Sequence, residues 1–147
     1  MNDTSTISFD IETSDAACPW AVEIWLDDTV VFAVLHVKQL YKFTHEFVDD
    51  DNDHTLKIIM LNKTPAYTKI DEQGNIIKDA TLQISNAVID DVDMNQIFLE
   101  NCVYEHDFNG TQPKTAVPFY GTAGCNGTIS LEFTSPIYLW LLDQMCR

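Results

Sequence analysis

Between His54 and Asp93, apolar residues recur at every second position: first Leu56, Ile58 and Met60, then Ala80, Leu82 and Ile84, with a turn-rich Asp71-Glu72-Gln73-Gly74-Asn75 between the two runs. A period of two sends alternate side chains to opposite faces of an extended chain, so the pair describes half-buried antiparallel strands flanking a turn. The pattern repeats elsewhere. Thr4 to Glu12 places Ile7, Phe9 and Ile11 on one face, and Trp20 to Leu26 sets Trp20, Val22, Ile24 and Leu26 against Ala21, Glu23 and Trp25. Tyr41, Phe43, His45 and Phe47 line a further strand, and Gly127 to Thr134 carries Ile129, Leu131 and Phe133. The run Val30 to Leu35, within Thr29 to Val37, is apolar on both faces, as expected of a central strand covered on each side or of one lying in a subunit interface. Tyr67 to Ile70 and Asn75 to Lys78 read as a small hairpin around Gln73-Gly74. Phe98 to Phe108 is irregular, and Gly110 to Pro118 reads as a polar loop with a brief pairing near Val117 to Tyr120. Ser135-Pro136 then predicts a helix start, serine capping and proline in the first turn, over Ile137 to Met145. A strand through Tyr138 to Leu141 is the competing reading there.

About eight strands with no helix long enough for a crossover imply an all-β, antiparallel two-sheet β-sandwich, jelly-roll or immunoglobulin-like, with a short C-terminal helix. A chain of 147 residues fits one domain, 1–147, and buries about 68–70% of its unfolded surface. The charge is lopsided: 23 acidic against 8 basic residues give a formal net charge of -15, which repels polyanions and argues against nucleic acid as a partner. Most acids sit in turns, where carboxylates face water and discourage strand edges from pairing with other chains. The N-terminus lacks the basic flank and apolar run of a signal peptide, and no stretch reaches the roughly 18 apolar residues of a spanning helix. The expectation is a protein without a membrane partner and not secreted by a signal peptide. Cys18, Cys102, Cys125 and Cys146 show no CxxC spacing and read as free thiols.

No spaced nucleophile, metal or phosphate motif is present, and Gly121 to Gly127 is not a phosphate-binding loop, so the chain does not read as an enzyme. The acidic run Asp49, Asp50, Asp51 and Asp53 offers several hard oxygens, the donor type calcium takes, and these four are the candidate metal ligands. Against this, the run lacks the glycine and distal glutamate of an EF-hand loop, and such runs are commonly solvated turns. Asp90, Asp91 and Asp93 form a second acidic set. His36, His45, His54 and His106 show no ligand-like spacing, and His45, beside Tyr41 and Phe43, reads as a core or interface imidazole. Among the aromatics, Trp25, Tyr67 and Tyr120 are candidate exposed contacts, and Tyr138 and Trp140 belong to an apolar segment suited to attachment.

The segments HTLKIIMLNKTPAYTKIDEQGNIIKDATLQISNAVIDDVDM, VYEHDFNG and FYGTAGCNGTISLEFTSPIYLWLLDQM resemble a family of small proteins encoded by T4-like bacteriophages of marine cyanobacteria. The resemblance implies a virion-associated β-sandwich with no catalytic residue to carry over. It points to a non-enzymatic structural accessory protein, made in the host cytoplasm and placed on the virion, with capsid decoration ahead of neck, tail or fibre attachment. Its partners would be other virion proteins, met through oligomeric or lattice contacts. A weaker likeness joins His54 to Asn62, with its acidic lead-in, to calcium-dependent carbohydrate-binding modules. That gives the alternative reading: a calcium-dependent module binding host glycans in adsorption, calcium being the sole cofactor in view.

Overall fold

The computed structural model of the chain describes residues 4–146, apart from the side chains of Phe98, Leu99 and Tyr138. Five strands come first: β1 (Thr4–Thr13), β2 (Ala21–Leu26), β3 (Thr29–Val34), β4 (Tyr41–Val48) and β5 (Asp53–Leu61). A 3-10 turn at Pro65–Tyr67 leads into the hairpin β6 (Thr68–Ile70) and β7 (Ile76–Asp79). The remainder is β8 (Leu82–Ile89), β9 (Val92–Asp93), α1 (Asn95–Asn101), β10 (Val103–His106), β11 (Thr115–Pro118), β12 (Thr122–Ala123), β13 (Gly127–Thr134) and α2 (Ile137–Met145).

The strands form an antiparallel two-sheet sandwich. One sheet has the order β12-β8-β1-β4, with β9 also on β8, and the other has the order β11-β10-β13-β5-β2-β3. The alternating apolar residues anticipated from sequence meet between the sheets, where Ile7, Phe9, Ile11, Val22, Ile24, Leu56, Ile58, Met60, Ile129 and Leu131 are all buried. Aromatic pairs stitch the layers: Phe32 of β3 meets Phe43 of β4 at 5.8 Å, and Phe47 of β4 meets Phe133 of β13 at 5.6 Å. Burying these side chains on both inner faces is the main favourable term of the fold. The hairpin β6-β7 pairs with neither sheet and stands as its own two-stranded ribbon.

Three local expectations are corrected. The doubly apolar strand β3 is an edge strand of the six-stranded sheet, not a central one, and Val30 and Leu35 face solvent. The stretch Phe98 to Phe108, read as irregular, takes in the end of α1 and the whole of β10; α1 was not revealed because seven residues span only two turns and show little period. The polar loop to Pro118 contains β11, which pairs with β10 through Thr115 opposite His106 and Pro118 opposite Val103. By contrast, β13 and α2 have the limits read from sequence. The cap of α2 differs, however: Pro136 holds the N-cap position with no side-chain cap bond. The Ser135 hydroxyl is committed elsewhere, as described next.

Candidate functional site

β5 begins at an acidic end of the sandwich, and the neighbouring turns are short enough to bring three loops against it. His54, second residue of β5, lies between two carboxylates: Nδ1 is 2.7 Å from Asp27 Oδ2 and Nε2 is 2.8 Å from Asp50 Oδ1. Each ring nitrogen faces a carboxylate, so the imidazolium form, with an N–H donor on both sides, satisfies both contacts. Asp27 sits in the β2-β3 turn with φ 56. It is locked by reciprocal bonds with Thr55: the Thr55 N–H donates to Asp27 Oδ1 at 2.9 Å and the Asp27 N–H donates to Thr55 O at 2.8 Å. The β4-β5 turn is tied to the start of α2. The Asp50 N–H donates to Ser135 Oγ at 3.1 Å, Ser135 Oγ donates to Asp49 Oδ1 at 3.2 Å, and Ser5 Oγ donates to the same carboxylate oxygen at 3.2 Å.

The electrostatics follow from these bonds. Partial burial alone would lower the His54 pKa, but the bonds to Asp27 and Asp50 outweigh it and hold it above its ordinary 6.5. Burial pushes Asp27 upward, and the bonds from His54 and the Thr55 N–H more than reverse this, leaving it below 3.8. Asp50 is lowered chiefly by the bond from His54.

These commitments decide the calcium question for the residues singled out from sequence. Asp50 is paired with His54, and Asp49 accepts two hydroxyls. Asp51 occupies a left-handed turn position with φ 59. Asp53 pairs in register with Thr134 of β13. The set does not converge, and among the described residues no group of three or more His, Cys, Asp or Glu side chains is placed to hold a metal ion. As arranged here the four carboxylates do not fit calcium: Asp50 faces His54, and the four share no common centre.

Beside His54 the surface opens into a cleft of about 310 Å³, lined in part by Asp53, Thr55, Glu132, Thr134 and Trp140. A second cleft of about 450 Å³ continues past the same Glu132 and Trp140 to Asn101, Ser130 and Gln144. The alternation of β13 explains the floor: Ile129, Leu131 and Phe133 point into the core, leaving Ser130, Glu132 and Thr134 outward. Trp140 of α2 is half-buried, lines both clefts and packs edge-on against Phe133 at 6.3 Å between centroids. An indole, a carboxylate, hydroxyls and side-chain amides together line a shallow groove of mixed apolar and hydrogen-bonding character.

The other aromatics singled out from sequence are dispersed. Trp25 is on the outer face of β2 opposite Lys57, and Tyr67 is half-buried against the core. Tyr120 is exposed beside a smaller cleft with Asn86 and Asn95. The side chain of Tyr138 lies outside the described residues.

The opposite end of β5 carries a feature that sequence reasoning missed. The Lys63 side chain is fully buried, and its Nζ donates to Asp79 Oδ1 and to Gly124 O, 5.7 Å from the centre of the Trp20 ring. Thr68 Oγ1 donates to the same Asp79 oxygen at 2.6 Å. Asn126 clamps the Lys63 backbone, accepting from its N–H at 2.9 Å and donating to its O at 2.8 Å. The cysteines are free, and burial pushes the Cys102 thiol up to about 12, which makes it a packing residue and not a nucleophile. No helix among the described residues is long and apolar enough to cross a membrane.

No family model and no curated protein matches the chain. Two solved structures are similar in arrangement. One is a carbohydrate-binding module, vCBM60, in complex with galactobiose, at 12% identity and TM-score 0.48 over 86% of this chain and 96% of the other. The second is the selenomethionine form of vCBM60, described with calcium-dependent carbohydrate-binding modules, at 11% identity and TM-score 0.44 over 86% and 89%. Likeness at this level transfers no residue and no activity.

Proposed function

We propose that this chain is a non-catalytic binding module for neutral glycans, and that the groove under α2 is where they bind. The observation that carries the reading is that half-buried Trp140 and exposed Glu132 line two neighbouring clefts in common. A sugar ring offers an apolar C–H face and an edge of hydroxyls. An indole meets the face, while carboxylate, hydroxyl and amide groups meet the edge as acceptors and donors. Asp53 and Glu132 at the groove, within a chain of net charge -15, disfavour acidic sugars. The site uses Trp140, Glu132, Ser130 and Gln144 and does not call on calcium, because the acidic turn that would supply ligands is closed by His54.

The test is isothermal titration against a panel of neutral oligosaccharides, with and without EDTA. Binding at neutral pH, unchanged by chelation and weakened at least about tenfold in Trp140→Ala, equivalent to about 1.4 kcal/mol, is the expected result. Binding unaffected by Trp140→Ala would remove the groove from the account.

A second reading, attachment to a phage particle as an accessory protein, draws on a different observation. The β6-β7 hairpin holds exposed isoleucines away from both sheets, as an attachment element would. Detection of the chain in purified virions by mass spectrometry supports that reading, and its absence from them removes it.

A further inference from the structure

Residues of the groove belong to a longer row on the outer face of the six-stranded sheet. Its strands pair in register, so outward side chains line up straight across them. Ser130 of β13 faces Val103 of β10 on one side and Lys57 of β5 on the other. Lys57 in turn faces Trp25 of β2, and Trp25 faces Val30 of the edge strand β3. The residues next to them along the strands, Ile24, Leu56, Ile58, Ile129, Leu131 and Tyr104, are buried in the core, which fixes the row on the opposite face.

The row starts inside the groove and leaves it. Ser130 and Val103 line the cleft beside Trp140, and Thr55, two residues before Lys57 and on the same face of β5, lines the other cleft. Two strand steps then separate Ser130 from Trp25, roughly 10 Å at about 4.8 Å per step.

Trp25 is half-buried, and its Nε1 is shielded from solvent with no hydrogen-bond partner. What its ring system shows outward is therefore carbon. With the polar edge turned in, the indole offers a flat apolar patch, the complement of the C–H face of a pyranose. Lys57 is exposed between Trp25 and Ser130 and brings an ammonium with three N–H donors, and Ser130 brings a hydroxyl. A chain of sugars laid across the strands thus meets an indole at each end, Trp140 and Trp25, and hydrogen-bonding groups between them. Each ring of an extended chain advances by about one strand spacing, so rings and strands keep step.

We propose, resting on the glycan reading above, that the binding site runs beyond the groove across β13 and β5 to Trp25. Its ligand is an extended neutral oligosaccharide of roughly four rings, linked so that successive rings lie in line. Trp140 and the groove take one end of this chain, Lys57 meets its middle and Trp25 stacks on the ring at the far end. The site is therefore selective for chain length and for a straight linkage, which the groove alone is not.

Isothermal titration with β-1,4-linked gluco-, manno- and xylo-oligosaccharides, from disaccharide to hexasaccharide, tests this. For the series that binds, affinity is expected to rise about tenfold from disaccharide to tetrasaccharide and to level off by the hexasaccharide. An α-1,4-linked gluco-oligosaccharide series, whose chain coils away from the row, gains nothing with length. Trp25→Ala brings the tetrasaccharide down to the affinity of the disaccharide and leaves the disaccharide unchanged, which also reports that the variant is folded. Lys57→Ala, at an exposed position, weakens the tetrasaccharide several-fold and spares the disaccharide. In the wild-type protein the Trp25 indole N–H resonance shifts with tetrasaccharide and not with disaccharide, an independent check should Trp25→Ala unfold. Binding that depends on Trp140 but gains nothing with length, or a gain that survives Trp25→Ala, overturns the extension and leaves the groove standing. Binding by none of the series, or binding untouched by Trp140→Ala, overturns the groove and the extension together.

Discussion

Lys63 and His54 are cations at the two ends of the same strand, each held by aspartate, and they differ in what surrounds them. Lys63 has its whole side chain buried, with Asp79, Gly124 O and the Trp20 ring as neighbours. His54 is bracketed by two largely solvated aspartates, with side chains 46% and 39% exposed. In the first case the charge is removed from water, and its one carboxylate is indispensable. In the second, water shares the work of solvating the charge, and the ring loses its proton as pH rises through its raised pKa. One end of the sandwich is therefore a fixed structural joint. The other is an adjustable one, and it is the adjustable end that borders the groove.

The comparison breaks first, and hardest, at Asp79. Asp79→Ala leaves the Lys63 ammonium buried without a counter-charge and is expected to cost about 3–5 kcal/mol, measured by urea denaturation. Replacing both partners, Lys63→Met with Asp79→Leu, restores most of that loss, because well-packed apolar groups substitute for a buried pair at little or no cost. Next comes Gly127 at the head of β13. A Cβ built there would lie 2.2 Å from Glu105 O, a backbone atom, so Gly127→Ala displaces the β10-β13 ladder and costs about 1–3 kcal/mol by the same assay.

The His54 end is sharpened by pH. Its folded-state pKa lies above 6.5, so the stability it contributes is complete below 6.5 and fades as pH rises through the raised value. Asp27 and Asp50 lie below 3.8, so their contribution is present above 3.8 and fades as pH falls through the lowered values. The stability gap between wild type and His54→Leu, which keeps apolar contact with Phe47 and Phe133, is therefore widest between 3.8 and 6.5. At its widest it is about 1 kcal/mol once solvent screening is allowed for, and urea midpoints across pH check it. The smallest effect expected is that of chelation: EDTA leaves the melting temperature unchanged, because His54 already bridges the carboxylates that calcium would need.

The same contrast explains what could be read in the sequence. The runs that became β1, β2, β4, β5, β8 and β13 were legible because each has one face in the core, so burial imposes a period of two. The limits of β13 and α2 were legible because Ser135-Pro136 interrupts one period and starts another. β3 misled because its apolar side chains lie at an edge, where composition says nothing about sheet position. At the site, Trp140 was visible as an aromatic in an apolar segment, and Asp50 and His54 stand four residues apart. Asp27 comes from another hairpin, 27 residues from His54, and no local pattern links them. Lys63, in the polar stretch Asn62-Lys63-Thr64, looks like any solvated lysine. Its burial is created by Asp79, Gly124 and Trp20 arriving from three other parts of the chain.

The central claim is that the groove beneath α2 receives a neutral glycan. An amide-correlation NMR titration with a panel of neutral disaccharides tests it directly, because it reports binding and location together. The account predicts saturable shifts centred on Ser130, Glu132, Gln144 and the Trp140 indole N–H, and none on the turn from Asp49 to Asp53 when calcium is absent. Shifts confined to the Tyr120 cleft or to the acidic turn, or no shift with any saccharide, would contradict it.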